Sequence, residues 1–185
     1  LGSFSIPSGF ERRTPELTNT GSFEKCWRRS NGKWWLYKVG YYDNLFSEMA
    51  AFKLCKALGY PTATYEFVSP QHEDFIVRLK VQHGVIRTLD FTDEAAVNFE
   101  PGVCLGLRSS DPSYNYEVLS ELSPKLGAEY IDLLIMDTLV ANVDRHNKNF
   151  GVLRDVITGE ILSLAPNYDN NLSLLTGFSS GVGLR

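Results

Sequence analysis

The fold of this chain is decided by the stretch Asn142-Val143-Asp144-Arg145-His146-Asn147-Lys148-Asn149-Phe150-Gly151. It follows a long apolar segment and precedes the short strand-like run Val152-Leu153. An Asp, a His, a Lys and three Asn thus fall within one connector between two apolar elements. Connectors that carry chemistry are held in place by rigid scaffolds. The stretch therefore indicates a functional loop.

A second polar cluster, Tyr168-Asp169-Asn170-Asn171, follows the next strand-like run, Ile161-Leu162-Ser163-Leu164. Four residues separate Asp144 from Asn149, and Asp169 comes one hairpin later. Protein kinases use this order: an Asp takes the proton of the attacking hydroxyl, and an Asn and a later Asp bind magnesium. Magnesium prefers hard oxygen ligands and keeps several waters, so one carboxylate and one amide oxygen suffice. The spacing predicts Asp144 as catalytic, and Asn149 and Asp169 as metal ligands.

The two motifs together resemble the HipA family of bacterial serine/threonine kinases, which includes toxins. The resemblance is carried by Asn-Val-Asp-Arg-His-Asn-Lys-Asn-Phe-Gly at 142–151 and by Leu-Ala-Pro-Asn-Tyr-Asp at 164–169. In that family an Asp-x-His-x-Lys-Asn-Phe loop leads through a hairpin to a Pro-x-Tyr-Asp motif. The match is good over residues 131–172 and loose in the first half of the chain. The shorter Asp-Arg-His-x-x-Asn also resembles the catalytic loop of phosphoinositide kinases.

The resemblance implies an α+β, two-lobed protein kinase-like fold. A β-rich N-lobe at residues 1–91 would contain the phosphate loop, an antiparallel sheet and one helix. A mainly helical C-lobe at residues 92–185 would contain the central helix, the catalytic loop and the metal-binding Asp. The chain begins with Leu1 and ends sixteen residues after Asp169. We therefore expect either a fragment with an incomplete C-lobe or a sequence from which disordered residues are missing.

The composition is that of a soluble globular protein, with 43% hydrophobic and 22% charged residues in a chain of 185. The formal net charge of −4 gives no indication of direct nucleic-acid binding. The sequence contains no apolar run of membrane-spanning length and no secretory signal. Cys26, Cys55 and Cys104 are widely spaced, which favours small buried thiols over a disulfide framework or a zinc site. A reducing, cytoplasmic location is expected.

Lys38 and Glu48 are the predicted ion pair of the first half of the chain. Strand alternation over residues 34–39 puts Lys38 in a row with two apolar side chains. The helix predicted at 44–58 has Glu48 within its apolar stripe. A buried carboxylate is costly unless it is paired, and Lys38 on the preceding strand is the expected partner, whereas solvated side chains remain the alternative. An active kinase needs this pair, with the Lys on the nucleotide phosphates.

The small polar residues before the hairpin signal Asn31-Gly32 are a candidate phosphate loop. HipA-like kinases have a Ser-Gly-containing loop followed by a Lys here, so the resemblance implies Gly21, Ser22 and Lys25 as nucleotide-binding residues. The stretch has no Gly-x-Gly-x-x-Gly, and an ordinary polar turn is the alternative. The resemblance also implies autophosphorylation at one of three hydroxyls: Thr18, Thr20 or Ser22.

Other elements have weaker signals. The helix at 44–58 is predicted to begin at a cap, Asp43 or Asn44, and to end at Gly59. A helix from Ser123-Pro124 to about residue 141 is apolar on all sides and is predicted to be buried, with Asp137 as a candidate brace of the catalytic loop. Strands are predicted at 61–68, 74–81 and 85–91, and a short helix at 93–96.

The remaining residues of the catalytic loop have more than one interpretation. Lys148, another predicted catalytic residue, would neutralise the γ-phosphate as the loop lysine of many kinases does. His146 is either a structural brace or, as in a phosphoinositide kinase, a group that takes part in proton transfer. Asn142 and Arg145 are predicted to order the loop.

The resemblance implies an ATP- and Mg²⁺-dependent kinase that phosphorylates serine or threonine of a protein and itself. It further implies a toxin that modifies a translation component such as an aminoacyl-tRNA synthetase. A partner antitoxin would be its only connection to nucleic acid, and no membrane partner is expected. A lipid kinase is one alternative, against which the small size and the lack of a basic run near the site count. Two further alternatives are not enzymes. One is a nucleotide-binding pseudokinase or interaction module, and the other is an α+β domain in which the Asp144 loop is merely a capped turn.

Overall fold

Two antiparallel sheets and three α-helices make up the part of the chain that the computed structural model describes, residues 25–69, 83–92 and 96–174. The mixed helix and sheet content expected from the sequence is therefore confirmed. The strand predicted at 74–81 lies outside the described residues. No helix within the described ranges is long and apolar enough to cross a membrane.

The first sheet begins with the hairpin that Asn31-Gly32 predicts. These two residues connect β1 (Lys25–Ser30) to β2 (Lys33–Tyr41) and have φ values of 50° and 76°. Two consecutive left-handed residues give a tight turn whose twist matches that of the strands. β3 (Tyr65–Phe67) and β4 (His83–Leu89) complete an antiparallel sheet in the order β1-β2-β4-β3. The strands predicted at 61–68 and 85–91 are present with different bounds.

The helix α1 (Tyr42–Leu58) directly follows β2. The cap predicted at Asp43 or Asn44 is wrong, because the N-cap residue is Tyr41, whose side chain makes no capping bond among the described residues. Asn44 instead donates from Nδ2 to the carbonyl of Asn171 at 2.9 Å. The side chain of Asn44 thus makes a tertiary contact and not a capping bond.

The helix α1 ends at a glycine and packs against the face of the first sheet on which the Lys38 side chain lies. Gly59 ends the helix as predicted, with a φ of 78° and an N–H that donates to two carbonyls of the last turn. Lys38 pairs with Ile86 across β2 and β4, so both side chains lie on the face that α1 covers. The core on this face consists of Leu45, Met49, Ala63, Tyr65 and Ile86.

The second sheet has the order β5-β6-β7, and two helices pack against it. Its strands are β5 (Val97–Pro101), β6 (Gly151–Asp155) and β7 (Ile161–Leu164), and the helices are α2 (Pro112–Leu122) and α3 (Pro124–Leu139). The sequence did not predict β5 or α2, and the short helix predicted at 93–96 falls largely outside the described residues. The core contains Leu107, Leu119, Leu126, Tyr130, Leu133, Phe150, Val152 and Leu164.

The helix α3 is less buried than its sequence predicts. It begins at Pro124 after the cap residue Ser123, as expected. Its neighbours cover only part of its circumference, and Ile131, Ile135 and Leu139 are 41%, 42% and 53% exposed. The prediction that α3 is buried on all sides is therefore wrong, because one side of the helix exposes apolar side chains.

The segment after β7 runs along the connection between α1 and β3. There Asn167 N donates to Pro61 O, and Ala63 N donates to Asn167 O, both at 3.0 Å. α1 and α3 also share a small apolar cluster: Ala51, Cys55, Met136 and Val140. These contacts hold the residues just before Asp169 against the first sheet.

The three cysteines are free, but they do not share one environment. Cys55 is buried, Cys26 is half-buried and Cys104 is exposed. The expectation of small buried thiols is therefore confirmed for Cys55 and wrong for Cys104.

Candidate active site

The connector at 142–151 leaves α3 through a sharp reversal and is then held by local hydrogen bonds. Ala141 has a φ of 48°, and Asn142 N donates to Asp137 O at 2.8 Å. Asn142 Oδ1 accepts from Asp144 N at 3.1 Å, a side-chain-to-backbone bond typical of Asn in turns. The Asp144 side chain is 37% exposed and is therefore accessible from solvent.

Arg145 joins the connector at 142–151 to the segment that contains Asp169. Its guanidinium forms a buried ion pair with Asp137, with Nη2 2.7 Å from Oδ1. It also donates, at 2.6 to 2.9 Å, to four oxygens of the two segments: Asn149 O, Tyr168 O, Asn167 Oδ1 and Asn170 Oδ1. A planar guanidinium can make so many bonds because its donors form a fixed fork. Asp137, the candidate brace, thus acts on the loop through Arg145.

Lys38 lies between two carboxylates. Its Nζ donates to Glu48 Oε2 at 3.0 Å and to Asp169 Oδ1 at 2.7 Å. Lys38 and Glu48 are only 4% and 2% exposed, so the alternative of solvated side chains is wrong. One ammonium group therefore connects β2, α1 and the segment after β7.

The charges of this cluster shift one another's pKa values. Burial by itself lowers the pKa of Lys38, but the carboxylates of Glu48 and Asp169 outweigh it and hold that pKa above its ordinary value. Burial would raise the pKa of Asp169, but Lys38 and Lys25 outweigh it and lower that pKa. Burial raises the pKa of Glu48, and Lys38 offsets only part of this effect. Asp169 is thus held ionised beside a protonated lysine.

Asp169 and the residue before it have unusual surroundings. Asp169 has a left-handed backbone with a φ of 55°, a conformation that Asp tolerates better than most residues. Its N–H donates to Tyr65 Oη at 3.1 Å. The ring of Tyr168 packs against Phe91 and Phe99, with centroid distances of 5.7 and 5.8 Å. The backbone at Asp169 is therefore held from both sides.

His146 and Asn149 contact Asp144, and Lys148 contacts His146. His146 Nδ1 accepts from Lys148 N at 3.2 Å, and its Nε2 lies 4.0 Å from Asp144 Oδ2. Asn149 is buried and donates from Nδ2 to Asp144 O at 3.1 Å. The side chain of Lys148 is exposed, while its carbonyl accepts from Tyr168 Oη at 2.8 Å. The imidazole is therefore held by backbone on one side and faces the carboxylate on the other.

β1 places a second lysine beside Lys38. Lys25 pairs with Lys38 across β1 and β2, so the two side chains lie on the same face of the sheet. Burial lowers the pKa of Lys25, and the charge of Asp169 offsets only part of this. Trp27 and Leu36 are the next pair on that face. The face thus presents two lysines followed by two large apolar side chains.

The oxygen ligands available suit Mg²⁺ that arrives with phosphates. Within the described residues, His, Cys, Asp and Glu side chains do not come together in threes or more as a metal cluster. Mg²⁺ on a nucleotide needs only one or two protein ligands. Asp169 supplies an ionised carboxylate, and Asn149 has its amide nitrogen bound to the Asp144 carbonyl, which turns its amide oxygen away from that carbonyl. The two residues fit the predicted ligand pair.

The family model of the HipA-like C-terminal domain matches residues 15–181. The chain belongs to this family. The resemblance to HipA kinases that the two motifs carry is thereby confirmed. A comparison of this HipA-like chain with curated proteins found no match.

The fold of this HipA-like domain is similar to that of the Helicobacter pylori proinflammatory kinase CtkA. The TM-score is 0.65 and the sequence identity is 24%, over 81% of this chain and 55% of the CtkA chain. The chain therefore spans just over half the length of that kinase. At this identity the likeness shows a shared fold.

The HipA-like domain brings its predicted site residues together in two hydrogen-bonded groups. One contains Lys38, Glu48 and Asp169, and the other contains Asp144, His146, Lys148 and Asn149. Arg145 joins the groups through its bonds to the backbone on both sides. Lys25 lies near the first group, whereas Gly21, Ser22, Thr18 and Thr20 lie outside the described residues. The catalytic and metal-binding roles of these residues stay predictions.

Sequence reasoning missed Tyr65, which contacts two members of the first group. The tyrosine is buried at the start of β3, and its hydrogen bond to Asp169 spans 104 positions of the chain. A lone Tyr in a short apolar run has no spacing signal that predicts such a contact.

Proposed function

We propose that this chain is the ATP- and Mg²⁺-dependent catalytic domain of a HipA-like serine/threonine protein kinase. The proposal includes two lobes, divided near residue 91, with the nucleotide between them. The observation that carries it is the position of Lys38, which bonds to Glu48 at 3.0 Å and to Asp169 at 2.7 Å. Active kinases require a strand lysine paired with a helix glutamate next to the metal-binding Asp.

The nucleotide would lie against the inner face of the first sheet. Lys25 and Lys38 offer positive charge for the phosphates on adjacent strands. Trp27 and Leu36 offer apolar surface for the base one step further along the same strands. Gly21 and Ser22 would cover the phosphates with backbone N–H groups, as phosphate loops do.

Asp144 is the proposed base of phosphoryl transfer. Its carboxylate takes the proton of a serine or threonine hydroxyl, the oxygen forms a bond to the γ-phosphorus, and the bond from that phosphorus to the β-phosphate oxygen breaks to release ADP. Lys148 balances charge on the transferred group. Asn149 and Asp169 would hold Mg²⁺, which when bound neutralises charge on the triphosphate.

The electrostatics favour catalysis over the pseudokinase alternative. Burying Lys38 and Glu48 is costly, and the pair is arranged as a nucleotide phosphate site needs. Asp144 lies in a braced loop and is still accessible from solvent. A nucleotide-binding pseudokinase would also need the Lys38–Glu48 pair, so the accessible Asp144 carboxylate in its braced loop is the feature that supports catalysis.

The biological setting follows from the family resemblance alone. We propose a cytoplasmic toxin of a toxin–antitoxin pair, with a translation component as its protein substrate. An antitoxin protein would be the partner, and the kinase would modify itself within residues 18–22.

Transfer of labelled phosphate tests the proposed activity. The full-length protein is incubated with γ-labelled ATP and Mg²⁺, alone and with cell lysate, beside Asp144→Asn and Asp132→Asn. Asp132 is exposed on α3 and serves as the matched control. We expect label on the protein or on a lysate protein, lost in Asp144→Asn by a factor of about 100 or more and kept in Asp132→Asn. Nucleotide binding without transfer by the wild type would instead establish the pseudokinase.

A further inference from the structure

The hydroxyl of Tyr65 makes two hydrogen bonds within the candidate site. It accepts from the backbone N–H of Asp169 at 3.1 Å and donates to the carboxylate of Glu48. Tyr65 itself is 4% exposed. One phenol group therefore ties the helix carboxylate to the backbone of the segment that holds Asp169.

Asp169 and Glu48, the two hydrogen-bond partners of the Tyr65 hydroxyl, both need a contact that holds them in place. Asp169 has a φ of 55°, and a left-handed non-glycine residue persists only where its surroundings hold it. Glu48 is a buried carboxylate that shares the ammonium of Lys38 with Asp169. A second donor on Glu48 fixes the direction of that carboxylate, because a charged acceptor binds its donors strongly.

We propose that Tyr65 is a positioning residue that keeps Glu48 and Asp169 at a fixed separation on the two sides of Lys38. Only the expected effect of Tyr65 on the kinetics of the reaction rests on the proposed function. Its structural part concerns the protein without ligands. Losing the hydroxyl is expected to loosen the backbone at Asp169 and to leave the core otherwise intact.

The ring of Tyr65 has a separate packing role, which the test must leave unchanged. It lies 5.9 Å from the ring of Phe52, centroid to centroid, within the core under the first sheet. Tyr65→Phe keeps this ring and removes only the oxygen. Tyr130→Phe is the matched control, since the Tyr130 hydroxyl is also buried and accepts from Asn115 Nδ2 at 3.2 Å in the other core.

The first readout is hydrogen exchange of the Asp169 backbone amide, measured by NMR without nucleotide or Mg²⁺. In Tyr65→Phe we expect this amide to exchange about tenfold faster or more, because local opening then exposes it. In Tyr130→Phe it should exchange at the wild-type rate. Equal rates in the two variants would overturn the inference. An unprotected Asp169 amide in the wild type would also overturn it, and that result does not depend on any variant folding.

The second readout is nucleotide affinity measured by calorimetry, with and without Mg²⁺. Tyr65→Phe is expected to weaken ATP binding about fivefold in the presence of Mg²⁺ and to leave it unchanged in EDTA, because Asp169 is a proposed metal ligand. An equal loss in both conditions would point to general damage and contradict the inference. In the transfer assay, which contains Mg²⁺, the KM for ATP should rise about fivefold with the loss of affinity, and kcat should fall about tenfold because positioning also acts on the transition state.

The two proposals fail in different ways. A wild-type protein that transfers no phosphate would overturn the proposed function, and the amide exchange at Asp169 would still decide the inference. An active wild type with identical behaviour of Tyr65→Phe and Tyr130→Phe would overturn the inference alone.

Discussion

Arg145 and Asp137 form a buried, two-pronged ion pair that connects the end of α3 to the catalytic loop. Arg145 Nε lies 2.8 Å from Asp137 Oδ2, and Nη2 lies 2.7 Å from Oδ1. Both side chains are less than a tenth exposed. Nη1 and Nη2 also donate to Asn149 O in the connector and to three oxygens of residues 167–170 beside Asp169. The Arg145 guanidinium thus connects three parts of the site: the end of α3, the connector at 142–151 and the segment around Asp169.

Arg145→Lys is therefore expected to destabilise the protein although it keeps the charge. A lysine ammonium lacks the fork and leaves buried acceptors without donors. A buried acceptor left without a donor costs about 1–3 kcal/mol, and we expect a loss of at least this size in the free energy of unfolding, measured by urea denaturation. Arg108→Lys is the control, because its pair with Asp111 is exposed and 3.7 Å long. If both variants lost the same small amount of unfolding free energy, the claim that Arg145 connects these parts of the site would be wrong.

Lys38→Met removes the cation that the buried carboxylate of Glu48 and the half-buried carboxylate of Asp169 share. Phosphate transfer is expected to fall by a factor of about 100 or more, since Lys38 is the proposed phosphate contact. The free energy of unfolding should also fall at neutral pH, because the buried Glu48 and the half-buried Asp169 then lose their shared donor.

The stability loss of Lys38→Met should depend on pH in a defined direction. In the wild type the pKa of Asp169 is lowered, so its contribution to stability is complete above its ordinary pKa of 3.8 and is lost as the pH falls through the folded value. In the variant, burial without Lys38 raises the pKa of both carboxylates, and protonation relieves their cost. The gap between the two unfolding free energies should therefore narrow as the pH falls from 7 through these raised pKa values, and it should be smaller at pH 3.5 than at pH 7. Urea titrations at pH 7 and pH 3.5 measure this, and a constant gap would contradict the shared-cation model.

The local patterns of the sequence predict the Lys38–Glu48 contact well. Strand alternation and helix periodicity each determine which face a side chain occupies, and both faces turn toward the same core. The predicted roles of Asp144, Asn149 and Asp169 rest only on their order and spacing along the chain.

The contacts that hold these residues in place were outside the reach of local patterns. Tyr65 meets Asp169 across 104 positions, and Arg145 gathers acceptors from two separate segments. The start of α1 is held by Asn171 and not by its own cap residue. Such contacts depend on which segments the fold brings together. The short strand β5 and helix α2 were missed because their periodic signals are weak.

His146 is expected to brace the loop and not to transfer the proton. Its Nδ1 accepts from the Lys148 N–H, a bond that the side-chain oxygen of Asn can imitate. We expect His146→Asn to retain activity within about threefold and His146→Ala to lose about tenfold, since a proton-transfer group is worth about 100-fold or more. Initial rates of phosphate transfer decide this. A loss of about 100-fold or more in both variants would assign His146 to the chemistry.

Gly151 is the last residue of the motif at 142–151 and the first residue of β6, where the neighbouring strand β5 leaves no space for a side chain. A Cβ at this position would lie 2.2 Å from the carbonyl oxygen of Glu100 and 2.8 Å from the Cα of Pro101, both on the neighbouring strand β5. Gly151→Ala is therefore expected to cost about 3 kcal/mol in the free energy of unfolding, at the upper end of overpacking effects. Gly159 has open space around its Cβ position and a φ of 72°, so Gly159→Ala should cost only about 1 kcal/mol, through backbone strain. Urea denaturation of both variants measures the difference. If Gly151→Ala cost no more than Gly159→Ala, the close approach of β5 and β6 would not explain this glycine.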